Sequence, residues 1–176
     1  MINGSFGVGK TTIAEMLLTT IPKALLFDPE MVGYLVHEIT KDMRAADEET
    51  ADFQDISIWR PLVISTAEQL SRRYSRPLVV PMTIANPEYL DEITNGFRAF
   101  DPQLYHFCLT ASLQTVHHRL RNRGVKEGVW CWNKAIEYAP LFHTPRYATH
   151  IDTENRAPTE VTFEIMSHLS RYQNAV

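Results

Sequence analysis

Gly4-Ser5-Phe6-Gly7-Val8-Gly9-Lys10-Thr11 reads G-x-x-x-x-G-K-[ST], the phosphate-binding P-loop. The glycines let the backbone fold around an anion and turn several N–H groups inward. Behind the loop, Ile13, Met16, Leu17 and Ile21 recur at helical spacing, and Pro22 stops the run. The positive end of that helix faces the loop. Lys10 is placed to reach the β- and γ-phosphates of ATP, and the Thr11 hydroxyl to ligate Mg²⁺. Gly4, Phe6, Gly7, Val8, Gly9 and Thr12 complete this set. A glycine-rich turn is the alternative, and the helix behind the loop argues against it. Only Met1-Ile2-Asn3 precede Gly4, so a short first strand is expected.

The totals narrow the field around this loop. A chain of 176 residues suits one domain, 1–176, with a real core. The net charge of −4 argues against general nucleic-acid affinity. Cys108 and Cys131 form no C-x-x-C or zinc-finger spacing, so a reduced, cytoplasmic setting is expected. No apolar run reaches membrane-spanning length.

Short apolar runs alternate with helical patterns along the chain. Strands are expected at Ala24 to Phe27, Leu78 to Val80, Leu104 to Leu109 and Ala148 to Ile151. Pro81 cannot donate to a ladder and is expected to end the second of these. The spacing predicts a helix from Pro29 to Thr40 with Met31, Val32, Leu35, Val36 and Ile39 inward. Lys41 to Asp52, with its Asp47-Glu48-Glu49 cluster, reads as a solvated connector. A second helix runs from Ile58 or Pro61 to Tyr74 on Leu62, Val63, Ala67 and Leu70. Asn86-Pro87 opens another, Ser112 caps the next, which ends near Gly124, and Asn133 to Tyr138 is a short piece. Pro158 opens the last helix, whose apolar face is expected on the sheet; a weak peripheral membrane contact is the alternative. This alternation implies an α/β three-layer sandwich with a mainly parallel sheet of about five strands. Ligands then sit at the carboxyl ends of the strands.

Several residues there are able to carry chemistry. Asp28, ending the second strand, would take a proton from a substrate hydroxyl or hold a Mg²⁺ water; Asp before Pro is also a good helix cap. Arg119 and Arg123 share a helix face, either as phosphate clamps or as an exposed basic helix end. For Arg121 and Arg146 the exposed reading leads. Residues about 121–147 lie where a small kinase carries a lid. Arg60 beside Trp59 reads, from sequence, as a surface arginine on an aromatic ring. No acidic residue ends the Leu78–Val80 strand, so no Walker-B aspartate is visible. Asn133-Lys134-Ala135-Ile136 lacks the aspartate of a guanine-reading N-K-x-D, which argues against a switch GTPase. His117 and His118 are adjacent and point to different sides of a helix, a poor metal pair.

Four stretches in order resemble the tunicamycin-resistance protein family, P-loop small-molecule kinase-like proteins. They are Ile2 through Thr11; Phe27-Asp28-Pro29-Glu30 with Gly33; Asp52-Phe53-Gln54 with Trp59-Arg60; and Val80 through Ile84 with Pro87-Glu88-Tyr89. The resemblance implies an ATP-binding protein that protects against tunicamycin. It implies Asp28 as the base, and Phe53, Gln54, Arg60, Met82 and Thr83 along the drug side. It places Arg119 and Arg123 on the ATP phosphates, and Thr153-Glu154-Asn155-Arg156 by the adenine. The leading expectation is an ATP-dependent phosphotransferase acting on a hydroxyl of a nucleoside-like or glycosyl antibiotic. ATP-gated drug sequestration without chemistry is the second reading, and a metabolic small-molecule kinase the third. Monomer and homodimer both stay open.

Overall fold

The computed structural model describes residues 1–44, 48, 50–147 and 149–173, and only the backbone of 171–173. Asp47 and Glu49 of the acidic connector, and Ala148 at the expected start of the last strand, lie outside the described residues. The strands are β1 Ile2–Gly4, β2 Leu25–Leu26, β3 Leu78–Val79, β4 Phe107–Thr110 and β5 His150–Asp152. The helices are α1 Lys10–Thr20, α2 Pro29–Thr40, α3 Trp59–Tyr74, α4 Pro87–Phe100, α5 Leu113–Asn122, α6 Trp130–Tyr138 and α7 Pro158–Gln173.

All strand pairs are parallel. β1 lies beside β4 and β4 beside β5, while β2 pairs with β3 in a second, two-stranded group. A single bridge between Ile2 and Pro81 ties the groups together. Ile2 donates to the Val80 carbonyl at 2.9 Å, and Met82 donates to the Ile2 carbonyl at 2.9 Å. Ile2 thus uses the groups flanking Pro81, so the missing proline N–H goes unneeded. The expected sheet of about five strands is therefore two groups, of three and two strands, joined at one residue. Read through that bridge, β1 stands between β3 and β4, where the strand order reverses. The carboxyl end of β1 consequently opens onto the ligand crevice of an α/β sheet, and the P-loop begins there.

Two apolar clusters pack on the sheet. One gathers Val36, Trp59, Val63, Ile84, Ile93 and Phe142; the other gathers Val8, Ile13, Leu109, Val116, Ile151 and Ile165. The apolar face of α7, through buried Val161 and Ile165, belongs to the second.

Element bounds depart from expectation mostly at strand starts. β4 begins at Phe107 rather than Leu104, β5 at His150, and α6 three residues before Asn133. The face of α2 is the larger correction. Val32 and Val36 are buried with Pro29, Gly33 and Thr40. Met31, Leu35 and Ile39 are exposed. The helix is turned so that its narrowest side chains meet the core, because Gly33 has to admit the Phe53 ring: a Cβ there would lie 2.5 Å from Phe53 Cγ. Leu62 on α3 is likewise exposed, and Trp59 takes the buried place on that helix instead.

Candidate active site

The loop between β1 and α1 is built around backbone that only glycine adopts freely. Gly4, Gly7 and Gly9 have φ of 140°, 76° and 110°. A Cβ on Gly4 would meet the Leu109 carbonyl oxygen at 2.5 Å. Gly9 precedes α1 and no side chain caps that helix. Its first amides have no intrahelical acceptor and are free for an anion. The Ser5 hydroxyl is buried without a partner. Lys10 Nζ donates to the carbonyls of Gly4 and Ser5 at 3.0 and 2.9 Å, folding its charge back over the loop. Burial lowers its pKa to about 8, partly offset by Glu30. A half-buried cation, uncapped helix amides and an orphan hydroxyl facing one loop fit a polyphosphate. Thr11 is exposed beside them and Thr12 half-buried.

Asn3 ties this loop to the neighbouring strand edge. Fully buried, it accepts from the amides of Gly4 and Ile84 at 2.8 and 2.9 Å and donates to the Ile84 carbonyl at 3.1 Å. It holds Met82-Thr83-Ile84 against the start of the P-loop. On the other flank, Arg119 donates to the Val8 carbonyl at 3.1 Å and to the Thr153 hydroxyl and carbonyl at 2.9 and 2.7 Å. Arg119 and Thr153 therefore lock the β5–α7 loop onto the P-loop. Arg123 is the exposed C-cap of α5, close enough to Lys10 to disfavour its charge. Asn155 has a positive φ of 49°, and Arg156 pairs with Glu164 at 2.5 Å.

A cavity of about 350 Å³ opens between the P-loop and α2. Phe6 of the P-loop lines it, with Phe53, Gln54, Met82 and Thr83. Gln54 is held by its side-chain bond to the Thr83 carbonyl at 2.8 Å. The Thr83 hydroxyl is buried and unpartnered. Asp28 caps α2, accepting from Glu30 N at 3.0 Å, and stands beside the cavity rather than among its lining residues. Arg60 is not at the cavity. Its guanidinium bonds Glu92 and the Gln54 carbonyl, both at 2.5 Å, and stacks on Tyr89 at 4.1 Å.

The sequence reading gave no role to Glu30, Tyr34, His37, Ala51, Asp52 and Trp130, which also line the cavity. Glu30 and Asp52 stood inside the quoted motifs, and that was the only signal for them. Burial raises the pKa of Glu30, with Asp28 adding to the shift, and burial likewise raises that of Asp52. Trp130, at the start of α6, meets Phe6 edge-on with centroids 5.4 Å apart. A more open groove of about 1030 Å³ continues beyond Asp52 and Trp130 toward Lys134 and Glu88, and no P-loop residue lines it. His117 stacks on Trp132 at 4.0 Å, and no metal-binding cluster of His, Cys, Asp or Glu occurs among the described residues. Among the described residues no helix is long and apolar enough to cross a membrane.

Fold and loop together define a P-loop kinase-like nucleotide-binding α/β protein. The chain belongs to the AAA domain family, whose model matches residues 1–131. It is similar to the solved tunicamycin resistance protein of Deinococcus radiodurans: 28% identity, TM-score 0.78, with 96% of this chain and 92% of that chain covered. The resemblance carried by the four motifs is thereby borne out. A gluconokinase from Sinorhizobium meliloti 1021 (14% identity, TM-score 0.65, 97% and 90% covered) shares the fold. So does a shikimate kinase from Acinetobacter baumannii (16% identity, TM-score 0.59, 97% and 92% covered). Comparison with curated protein sequences returns no match.

Proposed function

We propose that this chain is an ATP-dependent phosphotransferase acting on a hydroxyl of tunicamycin or a similar nucleoside or glycosyl antibiotic. One observation carries the reading: Phe6 belongs to the P-loop and also lines the 350 Å³ cavity, so anion loop and cavity are adjoining compartments. Gly4 through Thr12 would hold the triphosphate, with Thr11 toward Mg²⁺. Bound there, ATP supplies the phosphoryl group and Mg²⁺ neutralises its charge. Lys10 exchanges the Gly4 and Ser5 carbonyls for phosphate oxygens. Asp28 accepts the proton of the attacking hydroxyl, and Glu30, beside it and facing the cavity, orients that hydroxyl. Arg119 and Arg123 steady the phosphate side; Thr153, Asn155 and Arg156 border the base. Residues 121–147 form a lid within a single domain, with Trp130 over Phe6 to keep water out. A cytoplasmic setting fits two free cysteines, one buried with its thiol pushed up to about 12.

The second reading, ATP-gated sequestration, is favoured by one feature: Val80-Pro81 offers no carboxylate at the end of β3. Mass spectrometry of tunicamycin incubated with protein, ATP and Mg²⁺, against Lys10→Ala, separates the two. A gain of one phosphoryl group, absent in the control, is the expected result. Unchanged drug that still binds when ATP is present means sequestration.

A further inference from the structure

Beyond Ile2 the chain of β1 turns into the P-loop, while its neighbour runs on as Met82-Thr83-Ile84, a wall of the 350 Å³ cavity. Among the described residues, the backbone bonds that join the two stop at Ile2, whose amide and carbonyl serve Val80 and Met82. The next rung is made by a side chain. Asn3 presents its carboxamide to Ile84 as a peptide group would: Oδ1 accepts from the Ile84 amide at 2.9 Å, and Nδ2 donates to the Ile84 carbonyl at 3.1 Å. Gly4, at a φ of 140°, has turned its own amide back onto the same Oδ1 at 2.8 Å. Without Asn3, a buried amide and a buried carbonyl of the cavity wall would lose their partner.

The wall is held from its other side by a separate set of residues. Gln54 donates to the Thr83 carbonyl at 2.8 Å. Arg60 holds Gln54 in turn, through its bond to the Gln54 carbonyl at 2.5 Å, its pairing with Glu92 and its stacking on Tyr89. Gln54 therefore fixes the wall to the cavity, and Asn3 fixes it to the phosphate loop. Asn3 is fully buried, and Met82, Thr83 and Ile84 are at most 5% exposed. Bulk water is excluded from this joint, so it does not replace a lost bond there.

We propose that Asn3 is a positioning residue for phosphoryl transfer: its carboxamide sets the separation between the phosphate loop and the acceptor wall while touching neither substrate. This deepens the phosphotransferase reading and rests on it. In-line transfer tolerates little error in that separation, and a misplacement of about 1 Å costs on the order of 10²-fold in rate. Binding depends on other groups. ATP is held by the amides of the loop and Lys10, and the acceptor by the cavity walls that Gln54 keeps in place. Each compartment keeps its shape when the two slip relative to one another. Asn3 thus acts on kcat rather than on KM.

The test is steady-state kinetics of the full chain with ATP, Mg²⁺ and tunicamycin, counting both the ADP released and the phosphorylated drug formed. Asn3→Ser leaves a hydroxyl near the Gly4 amide but is too short to reach Ile84. It is expected to lower kcat about 10–100-fold with both KM values unchanged. It is also expected to raise the ADP formed per phosphorylated drug, because water takes the γ-phosphate when the acceptor is out of line. Asn3→Asp keeps an acceptor for both amides and gives up the donor to the Ile84 carbonyl, so its kcat is expected between those of Asn3→Ser and wild type. An unchanged kcat in both variants overturns the proposal, as does a raised KM at constant kcat. So does a fall in kcat matched by an equal loss of ATP-analogue binding sites, or failure of both variants to fold, since Asn3 then serves the fold alone. Absence of phosphorylated drug with the wild-type protein counts against the phosphotransferase reading itself, and this proposal falls with it.

Discussion

Lys10 illustrates a residue whose cost to the empty protein is its use to the loaded one. Its ammonium, on a half-buried side chain, donates to two carbonyls of its own loop. Folding lowers its pKa from 10.5 to about 8. The unfolded chain therefore binds more protons between about pH 8 and pH 10.5, so this residue makes the empty protein less stable at neutral pH. That penalty fades as pH rises through the interval. Lys10→Met is expected to raise the melting temperature of the nucleotide-free protein, by about 1–3 kcal/mol of stability, and to abolish binding of a fluorescent ATP analogue. A lowered melting temperature would show that the ammonium is well satisfied. Asp28 and Glu30 divide along different lines. Asparagine at 28 still caps α2, so Asp28→Asn is expected to retain ATP binding and fold stability while turnover falls about 10²–10⁴-fold. Near wild-type turnover would leave Asp28 as a cap alone.

At the scale of elements, the cavity is shaped by how α2 meets the 53–55 turn. Gly33 lets the Phe53 ring lie against the helix backbone. Gly33→Ala has an ordinary helical backbone to enter, and alanine suits a helix better than glycine. The ring must nonetheless move. We expect net destabilisation of about 1–3 kcal/mol in denaturant melts, together with weakened acceptor binding and unchanged ATP affinity. Equal stability would mean that the ring shifts freely. α4 offers a simpler case. Asn86 accepts from Glu88 N and Tyr89 N at 2.8 and 3.4 Å. Asn86→Ala is expected to cost about 1 kcal/mol and, because Asn86 lines only the outer groove, to leave ATP binding as it was. Legibility also divides by element. The caps of α2, α4 and α5 were readable because Asp28-Pro29, Asn86-Pro87 and Ser112 satisfy amides within their own chain segment. The inward face of α2 was not, since Met31, Leu35 and Ile39 keep the same period as Val32 and Val36 and only the partner surface chooses between them.

Across the whole molecule, a largely buried histidine at the amino end of β4 contributes to the response to acid. His106, next to β4, is held at a pKa of about 3 by burial, and its Nε2 has no partner. It stays neutral in the fold while the unfolded chain takes up a proton below about pH 6.5. Stability attributable to this residue is thus lost as pH falls from 6.5 toward 3. We expect urea midpoints to drop between pH 7 and pH 5, by about 1–2 kcal/mol from His106, and His106→Leu to flatten that slope. The P-loop and most of the helices belonged to the sequence alone, because each rests on residues within one short segment: glycines where φ is positive, a cap before a proline, an apolar period. What only the tertiary structure decided was the site. Asp52 and Trp130 lie 78 positions apart in the chain and line one cavity, while Arg60, adjacent to buried Trp59, is turned away to Glu92. Side-chain direction in these places is set by contacts made across the fold, where burial and charge pairing outweigh any local preference.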